Sequence, residues 1–172
     1  MLTEEEYRAR IVREARSWLG TPYVLGARVK GAGADCATLI MGIFQAVGII
    51  PPDEQAHLLS ADWWQHTTEE RYRIRVVRHS TKTVEAFTYP TLEAKPGDIL
   101  LVRAAGAKVH NHGGIVLEKW PWIIHAIAPV ACVANASQHR MWEFQKVEVF
   151  SPWEKYRTEG YRAEEIEKIK VA

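Results

Sequence analysis

The feature that most constrains the fold is a change of hydrophobic period along the chain: helical spacing before residue 50, short strand-like runs beyond residue 95. Ile11, Ala15, Trp18 and Leu19 recur on one helix face, and Thr3 with Glu6 has the form of a capping box, so residues 3–19 are expected to form an amphipathic helix stopped by Gly20. Residues 21–34 turn to Gly, Ala and Pro and read as an irregular loop. Leu39, Ile40, Ile43, Phe44 and Val47 then mark a second helix, closed by Gly48. Lys95-Pro96-Gly97-Asp98 is a turn signal, followed by β-like runs over residues 99–103, 113–117, 122–127 and 146–150. Helices first and strands afterwards predict an α+β class.

Residues 51–95 are the least regular part and read as an insertion covering the core. A helix around 63–72, beginning at the Trp63-Trp64 pair, and a strand over 73–78 fit best there. Residues 163–170 are expected to form a short solvated helix. At 172 residues the chain has the length of one domain with a core of its own, and one domain spanning 1–172 is expected.

A formal charge of +1, from 22 basic and 21 acidic residues, gives no field to draw in nucleic acid or an anionic membrane. No run approaches a membrane span, and residues 1–16 lack the apolar core of a signal peptide. Cytoplasmic synthesis without membrane insertion is therefore expected, with export by lysis or within a larger particle left open. Two cysteines, Cys36 and Cys132, in unlike settings argue against a disulfide framework.

Cys36 falls in the first turn of the second helix, where unpaired backbone amides and the helix dipole favour a thiolate. Asp35 suits the N-cap position, and Gly31 and Gly33 leave the approach to the sulfur open. A lone cysteine at such a place is otherwise a small apolar core residue. The candidate base is His112, with His125 as its partner. In a hairpin centred on the Glu118–Lys119 bond, residues whose numbers sum to 237 lie opposite one another, and 112 and 125 meet that condition. One imidazole can then orient the other, as in cysteine hydrolases; a register shift of two would keep both on one face but weaken the contact.

The stretches Leu19-Gly20-Thr21-Pro22-Tyr23 to Gly26, Gly33-Ala34-Asp35-Cys36, Pro96-Gly97-Asp98-Ile99-Leu100, His112-Gly113-Gly114-Ile115 and Ile124-His125-Ala126 resemble, in order, the motifs of the NlpC/P60 family. The resemblance covers roughly residues 5–50 and 95–135. It implies a papain-like α+β fold and hydrolysis of an amide in bacterial cell-wall peptides, without a cofactor. It also implies Cys36 as nucleophile, His112 as base and His125 as orienting residue. Tyr23 matches a family tyrosine beside the thiolate, where its hydroxyl can help hold an oxyanion; equally, it reads as a loop aromatic on the core. Asp35 matches an aspartate that meets the free amine of the substrate peptide in several members, and equally reads as a cap. Ala37-Thr38 departs from the usual Ser-Gly, which puts recognition of an N-terminal alanine in doubt.

Residues 60–72, Ser60-Ala61-Asp62-Trp63-Trp64-Gln65-His66 with Glu69-Glu70-Arg71-Tyr72, resemble the phage-tail-associated branch of the family, which implies other tail proteins as partners. A Trp-rich lid is the alternative. Three rival functions remain. His110-x-His112 with His125 offers three nitrogens to zinc, though Cys36 would be unexplained. A tail or scaffold protein would use its seven tryptophans as interface anchors. A related thiol transferase or amidase would share the same machinery. Asn111 reads as a turn residue, His66, His79 and His139 as solvated, and Cys132 as a core thiol.

Overall fold

The computed structural model describes residues 2–55, 62–86, 93–103, 106–136 and 147–159. Ser60 and Ala61, His139, Lys146 and the expected helix over 163–170 lie outside the described residues.

The first helix, α1 (Glu4–Arg16), starts at a capping box: Glu6 N donates to Thr3 Oγ1 at 3.2 Å and Thr3 N donates to the Glu6 carboxylate at 2.9 Å. Tyr7, Ile11, Val12 and Ala15 bury one face. A small ribbon follows, β1 (Arg28–Val29) antiparallel to β2 (Gly33–Ala34), and leads into α2 (Cys36–Ala46). Every residue of α2 from Thr38 to Phe44 is buried, so this helix runs through the core. Gly42 has a packing reason, since a Cβ there would meet the Trp18 ring at 2.4 Å.

The insertion holds a single 3₁₀ turn, Trp63–Gln65, then α3 (Arg71–His79) and β3 (Thr81–Ala86). The strand expected over 73–78 is therefore a helix. Arg73 to Val76 alternates polar and apolar as a strand would, but the buried residues are Tyr72 and Val76, four apart, while Ile74 is 47% exposed. Of the expected helix over 63–72, only the 3₁₀ turn and the first two residues of α3 are helical.

The remaining strands are β4 (Ile99–Val102), β5 (His112–Val116), β6 (Trp122–Ile127), β7 (Val130–Asn135) and β8 (Val147–Ser151), closed by α4 (Pro152–Glu159). Strands β7 and α4 were not anticipated. The sheet order is β3-β8-β4-β5-β6-β7, with antiparallel pairing throughout. Ile99, Leu101, Ile115 and Leu117 pack with α1 and α2, whereas Leu100, Val102, Val116, Val147 and Val149 form a second apolar cluster with Ile123. Strands β4, β5 and β8 are consequently buried on both faces. The class is α+β and papain-like, with the helix that carries Cys36 packed against an antiparallel sheet.

One buried ion pair fastens α1 to this sheet. Arg8 donates to Asp98 Oδ1 at 2.7 Å, to the Pro96 carbonyl at 2.8 Å and to Ser151 Oγ at 3.1 Å. The Pro96-Gly97-Asp98 turn, with Gly97 at φ +81°, thus aims a carboxylate inward at the start of β4. Among the described residues no helix is long and apolar enough to cross a membrane.

Candidate active site

The head of α2 is set by Asp35. Its Oδ1 accepts from Ala37 N at 2.9 Å and Thr38 N at 2.8 Å, its Oδ2 from Gly26 N at 2.8 Å, and Thr38 Oγ1 accepts from Asp35 N at 2.8 Å. The same carboxylate therefore caps the helix and pins the preceding loop. Thr38, where the family usually carries glycine, completes this capping box and adds a hydroxyl donor to Oδ1 at 3.0 Å.

Cys36 is the first residue of α2 and is partly exposed. Its Sγ lies 3.9 Å from the Asn111 carbonyl, and hydrogen bonding by the Gly113 and Ala37 amides favours its charged form. The sulfur thus reaches the residue that precedes His112. Burial, then the negative charge of Asp35, pushes the thiol up to about 12 against those hydrogen bonds. The helix position alone was expected to favour the thiolate; here desolvation outweighs it, so the sulfur becomes a nucleophile only when a base takes its proton.

His112 Nε2 and His125 Nδ1 are 2.9 Å apart, with the rings edge to face at 81° and both side chains buried. The pair forms although the expected register is wrong. Ile115 faces Ile124 and Val116 faces Ile123, numbers that sum to 239, and Leu117 N donates to Trp122 O across a four-residue loop. Continuing that register sets Gly114, not His112, opposite His125. With no side chain on Gly114, the His125 ring leans diagonally to His112; a Cβ on Gly114 would lie 2.8 Å from Ile124 O and 3.3 Å from His125 Cβ. Gly114→Ala is accordingly expected to cost about 2 kcal/mol in a denaturant melt and to lower activity beyond what the lost stability explains. Wild-type stability and rate in that variant would refute this account of the bridge.

Tyr23 lies half-buried against the core on the loop beside α2, held by its N–H to the Pro129 carbonyl at 2.7 Å and by a bridge to Ala34. Burial, then the nearby Cys36 and Asp35, pushes its phenol above the ordinary range. The expected packing on the core is what this geometry shows.

His110 does not join the histidine pair. Its Nδ1 is 2.9 Å from Glu70 Oε2, which also accepts from His110 N at 2.9 Å, and Glu148 is 3.8 Å from its Nε2. Among the described residues no three His, Cys, Asp or Glu side chains are arranged to hold a metal ion. Cys132 is partly exposed on β7, opposite His125, and is not a core thiol; His79 is partly buried against Glu54 at 3.1 Å.

The residue that sequence reasoning passed over is Tyr72 of α3, whose hydroxyl donates to the Cys36 carbonyl at 3.0 Å. It stood within the quoted 60–72 stretch, but nothing in its spacing pointed at Cys36.

The NlpC/P60 family model matches residues 20–150, a span holding every residue of this site. The chain belongs to the NlpC/P60 family. Solved structures agree on the fold: the NlpC/p60 domain of the peptidoglycan hydrolase SagA is 22% identical at a TM-score of 0.52, covering 83% of this chain and 97% of that one. NlpC1 from Trichomonas vaginalis is 16% identical at a TM-score of 0.56, with 88% and 45% covered. A lipoprotein-like NLP/P60 protein from Staphylococcus aureus is 19% identical at 0.54, with 88% and 43% covered. This NlpC/P60 chain spans less than half the length of those last two proteins. No curated protein matches it.

Proposed function

We propose that this NlpC/P60 chain is a cysteine peptidase that hydrolyses an amide bond in peptidoglycan peptides. The observation that carries the reading is the His112–His125 pair, 2.9 Å apart on neighbouring strands, with the carbonyl of Asn111, the residue before His112, 3.9 Å from the sulfur of Cys36. A partly exposed thiol at the head of a helix, near an imidazole oriented by a second imidazole, is the arrangement that acyl transfer to sulfur requires. SagA, a peptidoglycan hydrolase by name, supports the substrate class.

In this mechanism His112 takes the proton of Cys36, and the thiolate attacks the scissile carbonyl. The oxyanion forms against the Cys36 backbone amide with the Tyr23 hydroxyl near it. The tetrahedral intermediate expels the amine as His112 returns the proton, leaving a thioester. Water, deprotonated by His112, attacks that thioester and frees Cys36. His125 holds the His112 ring in the needed orientation. Asp35 already accepts four hydrogen bonds from its own chain, so its part is to fix the helix head, and a contact to a substrate amine would add to that duty. Service within a phage tail rests on the resemblance of residues 60–72 alone.

The test is incubation of wild type and Cys36→Ala with purified peptidoglycan peptides and mass spectrometry of the products. Cleavage by wild type that the variant lacks supports the reading and names the bond. Products of transfer to an added amine would make the chain an acyltransferase, and an intact substrate with both proteins would favour a scaffold role.

A further inference from the structure

The insertion reaches the nucleophile. Tyr72 is 6% exposed, and its hydroxyl donates to the Cys36 carbonyl in the first turn of α2. The same hydroxyl, by hydrogen bonding, favours the charged form of the Cys36 sulfur. It occupies space that Gly113 leaves empty: a Cβ on that residue, next to His112, would sit 2.7 Å from the Tyr72 oxygen. Tyr72 is therefore wedged between the helix that carries the nucleophile and the strand that carries the base.

Two anchors on either side of Tyr72 hold it there. Glu70, two residues before, takes hydrogen bonds from His110 N at 2.9 Å, from the His110 ring at 2.9 Å and from Arg103 at 3.0 Å. Arg73, one residue after, pairs through Nε with Glu148, which is 2% exposed on β8. Clamping by buried or half-buried charges fixes a side chain in one rotamer far better than a solvated helix would. This network has no place in the proposed acid–base steps, and its geometry converges on one phenol.

We propose that Tyr72 is a positioning residue for the nucleophile: the inserted helix supplies a second phenol, besides Tyr23, that locks the first turn of α2 against β5 through the Cys36 carbonyl and turns its one proton from that carbonyl to the sulfur when the sulfur is ionised. Such a bond favours the charged sulfur, since a donor aimed at an anion is worth more than the same donor aimed at a neutral thiol. The ionisable groups whose charge acts on the sulfur are Asp35 from the cap, Tyr23 from the loop and Tyr72 from α3, and His112 follows Asn111, whose carbonyl the sulfur meets. Of the two phenols, Tyr72 alone bonds the backbone of Cys36 itself among the described residues. The proposal rests on the reading of Cys36 as nucleophile, but its test does not depend on turnover.

The experiment is peptide-resolved alkylation of Cys36 by iodoacetamide, in wild type, Tyr72→Phe and Glu70→Gln, from neutral to alkaline pH. Phenylalanine keeps the ring that packs beneath α2, so Tyr72→Phe is expected to stay folded while its Cys36 reacts roughly tenfold more slowly at neutral pH, the worth of one hydrogen bond to a charged group. The midpoint of its profile moves up in pH. Glu70→Gln, which loosens the clamp and leaves the hydroxyl, shifts the profile in the same direction by less. On cleaved wall peptides, Tyr72→Phe lowers kcat and leaves KM unchanged. A profile of Tyr72→Phe superimposed on wild type overturns the proposal even if the wild type cleaves; a shifted profile in a chain that cleaves nothing sustains it and removes the peptidase reading instead.

Discussion

Replacing His112 by Ala is expected to lower kcat/KM on wall peptides by about four orders of magnitude or more, as loss of the base does in other nucleophile–base hydrolases. The reason lies at the sulfur: a thiol pushed up to about 12 supplies almost no thiolate at neutral pH by itself, so the imidazole must both take its proton and balance its charge. His125→Ala is expected to cost less, about a hundredfold, because it removes the partner 2.9 Å away that orients the base rather than the base itself. Steady-state rates of the two variants, on folded protein, check the order. Equal losses would mean that the histidines share the proton-transfer role, and a His112→Ala enzyme at wild-type rate would remove His112 from the mechanism.

The largest effect on stability is expected at Arg8. Its guanidinium serves Asp98, Pro96 and Ser151, and Asp98 is 3% exposed, so Arg8→Ala strands a carboxylate inside the protein at a cost of about 3 kcal/mol or more. The loss should depend on pH in a definite sense. Burial, opposed by Arg8, holds the Asp98 carboxyl above its ordinary range, and without Arg8 it rises further. A group whose folded pKa lies above its unfolded one contributes most at low pH and loses that contribution as pH rises through the folded value. The gap between wild type and Arg8→Ala should therefore widen from mildly acid to neutral pH. Urea melts of both proteins at two pH values measure it. A gap that narrows toward neutrality would show that Asp98 is not the stranded group.

The parts of this molecule that could be read from sequence are those where local chemistry and tertiary packing agree. Thr3 and Glu6 cap α1, Asp35 caps α2, and the turn at Gly97 opens β4, because each depends on residues within three positions of one another. The hairpin register was missed by two because the midpoint reading places Pro121 opposite Val116 within the ladder. Proline has no N–H to donate there, and the chain instead puts residues 118–121 in the loop. The histidine pair survived that error because a shift of two preserves the face, and Gly114 leaves room for a diagonal contact. In α3 the alternation of Arg73, Ile74, Arg75 and Val76 imitated a strand, and only the seating of Tyr72 against Cys36 makes helical spacing the useful one. No local signal encodes that contact, since its partner lies 36 residues away.

The sheet order has a consequence for how the protein is made on the ribosome. Strand β8 (Val147–Ser151) lies between β3 and β4, and among the described residues β3 pairs with no other strand. Cys36, His112 and His125 have all been synthesised before β8 exists, yet β3 cannot dock, and Arg73 cannot find Glu148, until it arrives. Pairing across so long a stretch of chain is slow to form. Cys36 and His112 are therefore present in the growing chain while the Arg73 anchor beside Tyr72 is still open, and β8 closes it.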